Sequence, residues 1–160
     1  MSRAATAMSF PTKCAWIIGA IRWLESFPYS VLAIPLRLAV ATVFWNSGMT
    51  KIASWDTTIE LFTEEYKVPL LPPEIAAYLA TSVELTMPVL LVLGLLTRPA
   101  VLILLGMTLV IQLLVYPQAW PTHLQWASMM LVLLWRGPGA LSIDHLARRH
   151  WRDLFNNRPL

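Results

Sequence analysis

The chain has 160 residues, enough for one compact unit, with 57% hydrophobic residues, only 13% charged residues and eight tryptophans. That balance excludes an ordinary soluble domain and suits a membrane protein with tryptophans at the interface. The formal charge of +3 needs no nucleic-acid partner, because no basic groove with interleaved aromatics accompanies it.

Residues 1–30 read as an N-terminal segment. Their apolar run from Ala15 to Ile21 is short and no small-x-small site follows, which argues against a signal peptide. Within this segment, residues 14–27 place Trp16, Ile17, Ala20, Ile21, Leu24 and Phe27 at helical spacing, with Arg22, Glu25 and Ser26 on the other side. That is the pattern of an interfacial amphipathic helix, ended by Pro28. Cys14 is the single cysteine. It excludes an internal disulfide and any dithiol chemistry, and it reads as structural.

Four apolar runs follow, at about 31–50, 73–96, 98–116 and 122–136. A bilayer core of ~30 Å needs about 20 helical residues, so the fourth is short. Between the first two, Trp55, Ile59, Phe62 and Tyr66 form an apolar stripe opposite Glu60 and Glu64. Thr57 and Glu60 have capping-box spacing. This short helix reads as lying on the membrane or on the other helices, with a docking face for an outer partner as the functional alternative. Thr97-Arg98-Pro99 and Pro117–Pro121 are tight connections, which predict an all-α, up-down four-helix bundle over 31–145. Gly137-Pro138-Gly139 bends the chain after the fourth run, and residues 146–160 form a basic tail with a surface helix from Leu146 to Leu154. Ten of the 12 basic residues lie on the side of the termini. The positive-inside rule therefore predicts both termini in the cytoplasm.

The polar residues inside these runs carry the functional argument. Glu84 lies near the middle of the second run, where a carboxylate costs roughly 3 kcal/mol and is usually paired and inward-facing. Pro88 removes the amide that would bond the Glu84 carbonyl, and Thr81, one turn earlier, can supply a hydroxyl. At 100° per residue, Arg37, Phe44, Gly48 and Lys51 fall within about 40° of one another on the first helix, with Asn46 opposite. Arg37 reads either as an anchor snorkelling to the headgroups or as the counter-ion of Glu84. Lys51 reads as an interface anchor, and Gly48 permits close approach of another helix. Gln112, His123 and Trp126, near Trp120 and Tyr116, can receive a ring such as a quinone head with His123 as proton partner. The plainer reading is an aromatic belt with one interfacial histidine. His145 and His150 read as solvated. No metal-ligand spacing is present, nor a phosphate loop, a nucleophile–base pattern or the paired histidines of a haem site.

These residues resemble the DoxX family of small bacterial membrane proteins. The family's first-helix motif falls on Arg37, Ala41, Phe44, Gly48 and Lys51, and its second helix and turn on Glu84 and Leu93–Arg98. Its closing motif falls on Gly137, Pro138, Gly139, Ser142 and Asp144. Ala41 stands in place of the usual glycine and Ala140 where a basic residue is common. The resemblance implies an inner-membrane protein with a redox-linked role, similar to subunits of thiosulfate:quinone oxidoreductase and to members that associate with oxidative-stress and thiol-transfer proteins. The expectation is an accessory, non-catalytic subunit that binds a quinone or a protein of a redox or stress-response complex. No intrinsic cofactor is expected. A non-catalytic scaffold is the alternative, and a proton-coupled transporter using Glu84 a third, without inverted-repeat support.

Overall fold

The computed structural model describes residues 15–69 and 71–156, and among these there are helices and turns but no strand. Cys14, the basic residues before it and Arg158 lie outside the described residues. In chain order the helices are α1 (Ala15–Glu25), α2 (Tyr29–Ala53), α3 (Trp55–Leu61), α4 (Pro73–Leu93), α5 (Thr97–Val110), α6 (Trp120–Arg136) and α7 (Ile143–Asn156). α3 runs on into a π-turn at Phe62–Tyr66, and α5 into another at Ile111–Val115.

Local chemistry sets the helix ends. Pro28 precedes α2, and Pro73 and Pro121 sit in the first turns of α4 and α6, where a missing amide costs nothing. α4 stops at Gly94, which adopts φ +65° and lets the Gly94 and Leu95 amides close back on Leu91 and Leu90. α6 stops at Gly137, with φ +83°. α3 begins at Trp55, after Ser54, with no side-chain cap. Thr57 therefore lies inside its first turn and does not form the capping box its spacing suggested. Instead the Thr58 hydroxyl ties the corner, donating to the Lys51 and Ser54 carbonyls at 3.1 and 3.0 Å.

Three helical stretches are long and apolar enough to cross a membrane: Tyr29–Ala53, Pro73–Leu93 and Thr97–Val115, with mean hydropathy 1.4, 1.7 and 2.1. The sequence predicted four. α6 has 17 residues, short of the ~20 a bilayer core needs. α2 packs on α4 and α6, and α5 packs on α4 and α6, so each of these four helices touches two of the others. Their buried positions recur every three or four residues, as in Arg37–Ala41–Phe44–Gly48 of α2 and Ala77–Thr81–Glu84–Pro88–Leu91 of α4. Phe44, Leu91, Leu104, Met130 and Leu133 fill the resulting core. Large apolar residues on the far faces are exposed, among them Leu38, Val92, Leu102, Leu109 and Leu131, as contact with lipid requires.

The stripe of α3 and its π-turn lies on the first turns of α4. Phe62 is buried with Ala76 and Ala77, and Trp55, Ile59 and Tyr66 pack around them. The apolar face of the loop helix thus lies against α4, with Phe62 buried and Trp55, Ile59 and Tyr66 half-buried. α7 begins at Ile143, earlier than the surface helix expected from Leu146, and His145 and His150 are exposed.

Candidate functional site

Glu84 is 98% buried on the face of α4 that meets α2. Its carboxylate accepts two hydrogen bonds from the Lys51 ammonium, at 2.7 and 2.8 Å, and one from the Ser47 hydroxyl at 3.0 Å. Lys51 also donates to Ser47 at 2.9 Å. Residues 47 and 51 are one turn apart on α2, so both heads reach the same carboxylate. Among the described residues this is the one ion pair. Lys51, expected as an interface anchor, is the counter-ion of Glu84, and Arg37 is not. Thr81 is buried, but its hydroxyl has no partner; Ser47 supplies the hydroxyl expected of it.

Gly48 makes this pairing possible. A Cβ there would stand 2.9 Å from Leu85 Cδ2 and 3.1 Å from Glu84 Cβ, tighter than ordinary packing. Gly48→Ala is therefore expected to cost about 1 kcal/mol and Gly48→Leu about 3 kcal/mol, the second by forcing α2 and α4 apart. Unfolding free energies in detergent check this; equal stability of Gly48→Leu and wild type would contradict the close approach.

Above the ion pair lies a cavity of ≈ 610 Å³ whose walls include Ser47, Lys51, Glu84, His123, Tyr116 and Trp126. The rest of the lining is mostly apolar. Leu79 of α4 and Ile103 and Val110 of α5 line it and are themselves exposed. His123 is buried and its Nδ1 lies 2.7 Å from Gln112 Oε1. The Gln112 amide nitrogen donates to the Pro117 carbonyl at 2.8 Å. Trp126 packs between the His123 ring, 5.2 Å away, and Phe44, 5.8 Å away. The structure thus brings Gln112, His123 and Trp126 together, with His123 and Trp126 on the cavity wall and Gln112 bonded to His123 without lining the cavity. Trp120 is exposed.

Tyr116 is drawn to a different partner. Its hydroxyl donates to Glu65 at 2.9 Å and lies 3.4 Å from the Tyr66 hydroxyl, the two rings being edge to face at 5.7 Å. The hydrogen bond with Tyr66, burial and the Glu65 charge together push the Tyr116 hydroxyl well above the ordinary tyrosine range. Sequence reasoning missed this contact between the two π-turns, because Glu65 and Tyr116 are far apart in the chain and carry no pattern that joins them.

Arg37 stands at the opposite end of α2, 96% buried. Its Nη2 donates to the Leu141 carbonyl at 2.8 Å, while Nε and Nη1 have no partner. The residues around it form a clasp. The Asp144 carboxylate accepts from the Leu96 and Thr97 amides at 2.8 and 2.9 Å, capping α5 from a distant part of the chain. The Asp144 amide in turn donates to the Gly94 carbonyl at 2.9 Å. The Ser142 hydroxyl donates to the Gly139 carbonyl, Arg98 reaches the Leu134 and Trp135 carbonyls, and the Tyr29 hydroxyl donates to the Gly137 carbonyl. Gly139, at φ +83°, lies so close to Ser30 that a Cβ would stand 3.0 Å from its Cα.

A family model described as DoxX matches residues 32–117. The chain belongs to the DoxX family. Comparison with curated proteins and with solved structures gave no match. The matched stretch of this DoxX protein contains the ion pair, Arg37, Arg98 and Gln112. It stops short of His123, Trp126 and the segment Gly137–Asp144. The His123 and Trp126 side of the cavity and the Gly137–Asp144 part of the clasp therefore come from the part of the chain outside the match. No group of three or more histidine, cysteine or acidic side chains able to hold a metal occurs among the described residues.

Proposed function

We propose that this DoxX protein is an inner-membrane subunit whose cavity takes the head of an isoprenoid quinone, and that it serves a redox partner without being a catalyst by itself. In this reading α6 is the fourth crossing helix of an up-down four-helix bundle, its 17 residues matched to a locally thin bilayer. Both termini lie in the cytoplasm, following the distribution of basic residues.

The observation that carries the reading is the cavity. Its ≈ 610 Å³ falls in the range of small-molecule sites. Its lining is apolar except for the Lys51–Glu84–Ser47 cluster, His123 and the Tyr66 and Tyr116 rings, and exposed residues of two apolar helices, α4 and α5, border it. A ligand with a small polar ring and a long hydrocarbon tail meets all three conditions: the ring among the polar groups, the aromatic Trp126 beside it, the tail leaving between α4 and α5. In this reading the electrons come from the redox partner.

The test is extraction of the protein purified in mild detergent. Quinone plus quinol at about one per chain is expected for wild type, and a marked loss for Ala80→Phe, which places a ring in the cavity, with thermal stability kept. If wild type carries none and added short-chain quinone does not bind saturably, the cavity is not a quinone site. The scaffold reading, favoured by the complete pairing of Glu84 within the protein, then stands in its place.

A further inference from the structure

The hydrogen bonds of Gln112 fix where the proton sits on the histidine that lines the cavity. A backbone carbonyl only accepts, so the 2.8 Å contact with Pro117 pins the NH2 end of the Gln112 amide there. Its oxygen end therefore faces His123 Nδ1 at 2.7 Å. An amide oxygen also only accepts, so the proton of this pair belongs to Nδ1. In the neutral ring Nε2 is then left as a lone pair, and no described residue donates to it.

The Lys51–Glu84–Ser47 cluster is paired within itself. The three N–H groups of Lys51 donate to Ser47 Oγ and to both Glu84 oxygens, so the ion pair holds no free donor for an incoming ligand. His123 is one-sided. With Nδ1 committed to Gln112, the neutral ring can only accept from whatever enters.

Resting on the cavity reading above, we propose that His123 Nε2 makes this a site for a hydrogen-bond-donating head, a hydroquinone or a phenol of similar size on a hydrocarbon tail. The oxidised quinone carries a carbonyl where the hydroquinone carries O–H, and would set one lone pair against another at Nε2. The selectivity is a binding preference between two redox forms of one ligand. Gln112 is its positioning residue.

The experiment measures calorimetric binding to the full chain in detergent micelles under anaerobic conditions, for a short-chain benzoquinone, its hydroquinone and the dimethyl ether of that hydroquinone. The hydroquinone is expected to bind about tenfold or more tighter than the other two. His123→Phe should bring the three within about twofold of one another. Gln112→Leu, which leaves the imidazole in place but releases Nδ1, should also narrow the gap, since either nitrogen can then carry the proton. A purely structural role for Gln112 and His123 would change all three affinities together. Equal binding of the three ligands to wild type, or tighter binding of the quinone, overturns the donor preference while leaving the cavity as a ligand site. No binding of any of them overturns both.

Discussion

Replacing Lys51 by methionine is expected to destabilise the protein by about 3–5 kcal/mol, because it strands the Glu84 carboxylate in the core. The ammonium supplies two of the three hydrogen bonds that Glu84 accepts, and the carboxylate side chain is only 2% exposed. Ser47 alone cannot replace a formal charge. The size of the effect is the cost of an orphaned ion rather than the worth of the pair, since exchanging a whole buried ion pair for apolar side chains is often neutral or stabilising. The double variant Lys51→Met/Glu84→Met is therefore expected to recover most of the loss. Unfolding free energies of the two single variants and the double, measured in the same detergent, give the coupling directly. A Lys51→Met protein as stable as wild type, or a double variant no better than the singles, would mean that Glu84 is satisfied by something other than Lys51.

The second large effect belongs to the other end of the molecule. Gly94→Val is expected to cost about 3 kcal/mol or more. A β-branched residue at φ +65° is a backbone outlier, and such positions cost ~1–3 kcal/mol for non-glycine residues. The new Cβ would also be driven into Arg37 Nη1 and the Ser142 side chain, adding an overpacking penalty of roughly 1–3 kcal/mol. Loss of the clasp should accompany loss of stability, visible as faster amide hydrogen exchange at Leu96, Thr97 and Asp144, whose N–H groups it holds. Gly106→Ala is the control. A Cβ there meets nothing within 4 Å, and in mid-helix alanine is better than glycine by about 0.5–1 kcal/mol. If Gly94→Val behaves like Gly106→Ala, the tight turn is not a constraint.

Much of this arrangement is legible in the residues. A single charge in an apolar run marked Glu84, and the 100° helical step put Arg37, Phe44 and Gly48 on one buried face. What the helical wheel cannot supply is depth. It places Arg37 and Lys51 at nearly the same azimuth, but Gly48, which touches Glu84, is about three turns or ~16 Å from Arg37. Which cation meets the carboxylate depends on how far α4 slides along α2. The stripe of α3 and the Phe62–Tyr66 turn packs on the start of α4, and the apolar spacing that marks the stripe does not say which turn of α4 it meets. The Arg37 clasp was hidden for a similar reason: its partners are backbone carbonyls and amides, and these carry no residue-type signal. Gln112 and His123, by contrast, sit on either side of a tight turn, so short range made their meeting readable.

The two π-turns give the molecule a determinant that side chains do not encode. In each, the closing amide reaches back five residues, Lys67 to Phe62 at 3.2 Å and Tyr116 to Ile111 at 2.8 Å, one more than an α-turn uses. Each therefore stores one supernumerary residue, and the faces that carry Tyr66, Gln112 and Tyr116 are aimed by that count rather than by composition. Segment length is thus under constraint at both rims of the cavity, independently of what the residues are. Alanine or conservative scanning would leave this property untouched, and it belongs to the spacing of the chain in the same sense as the reading frame of a heptad repeat.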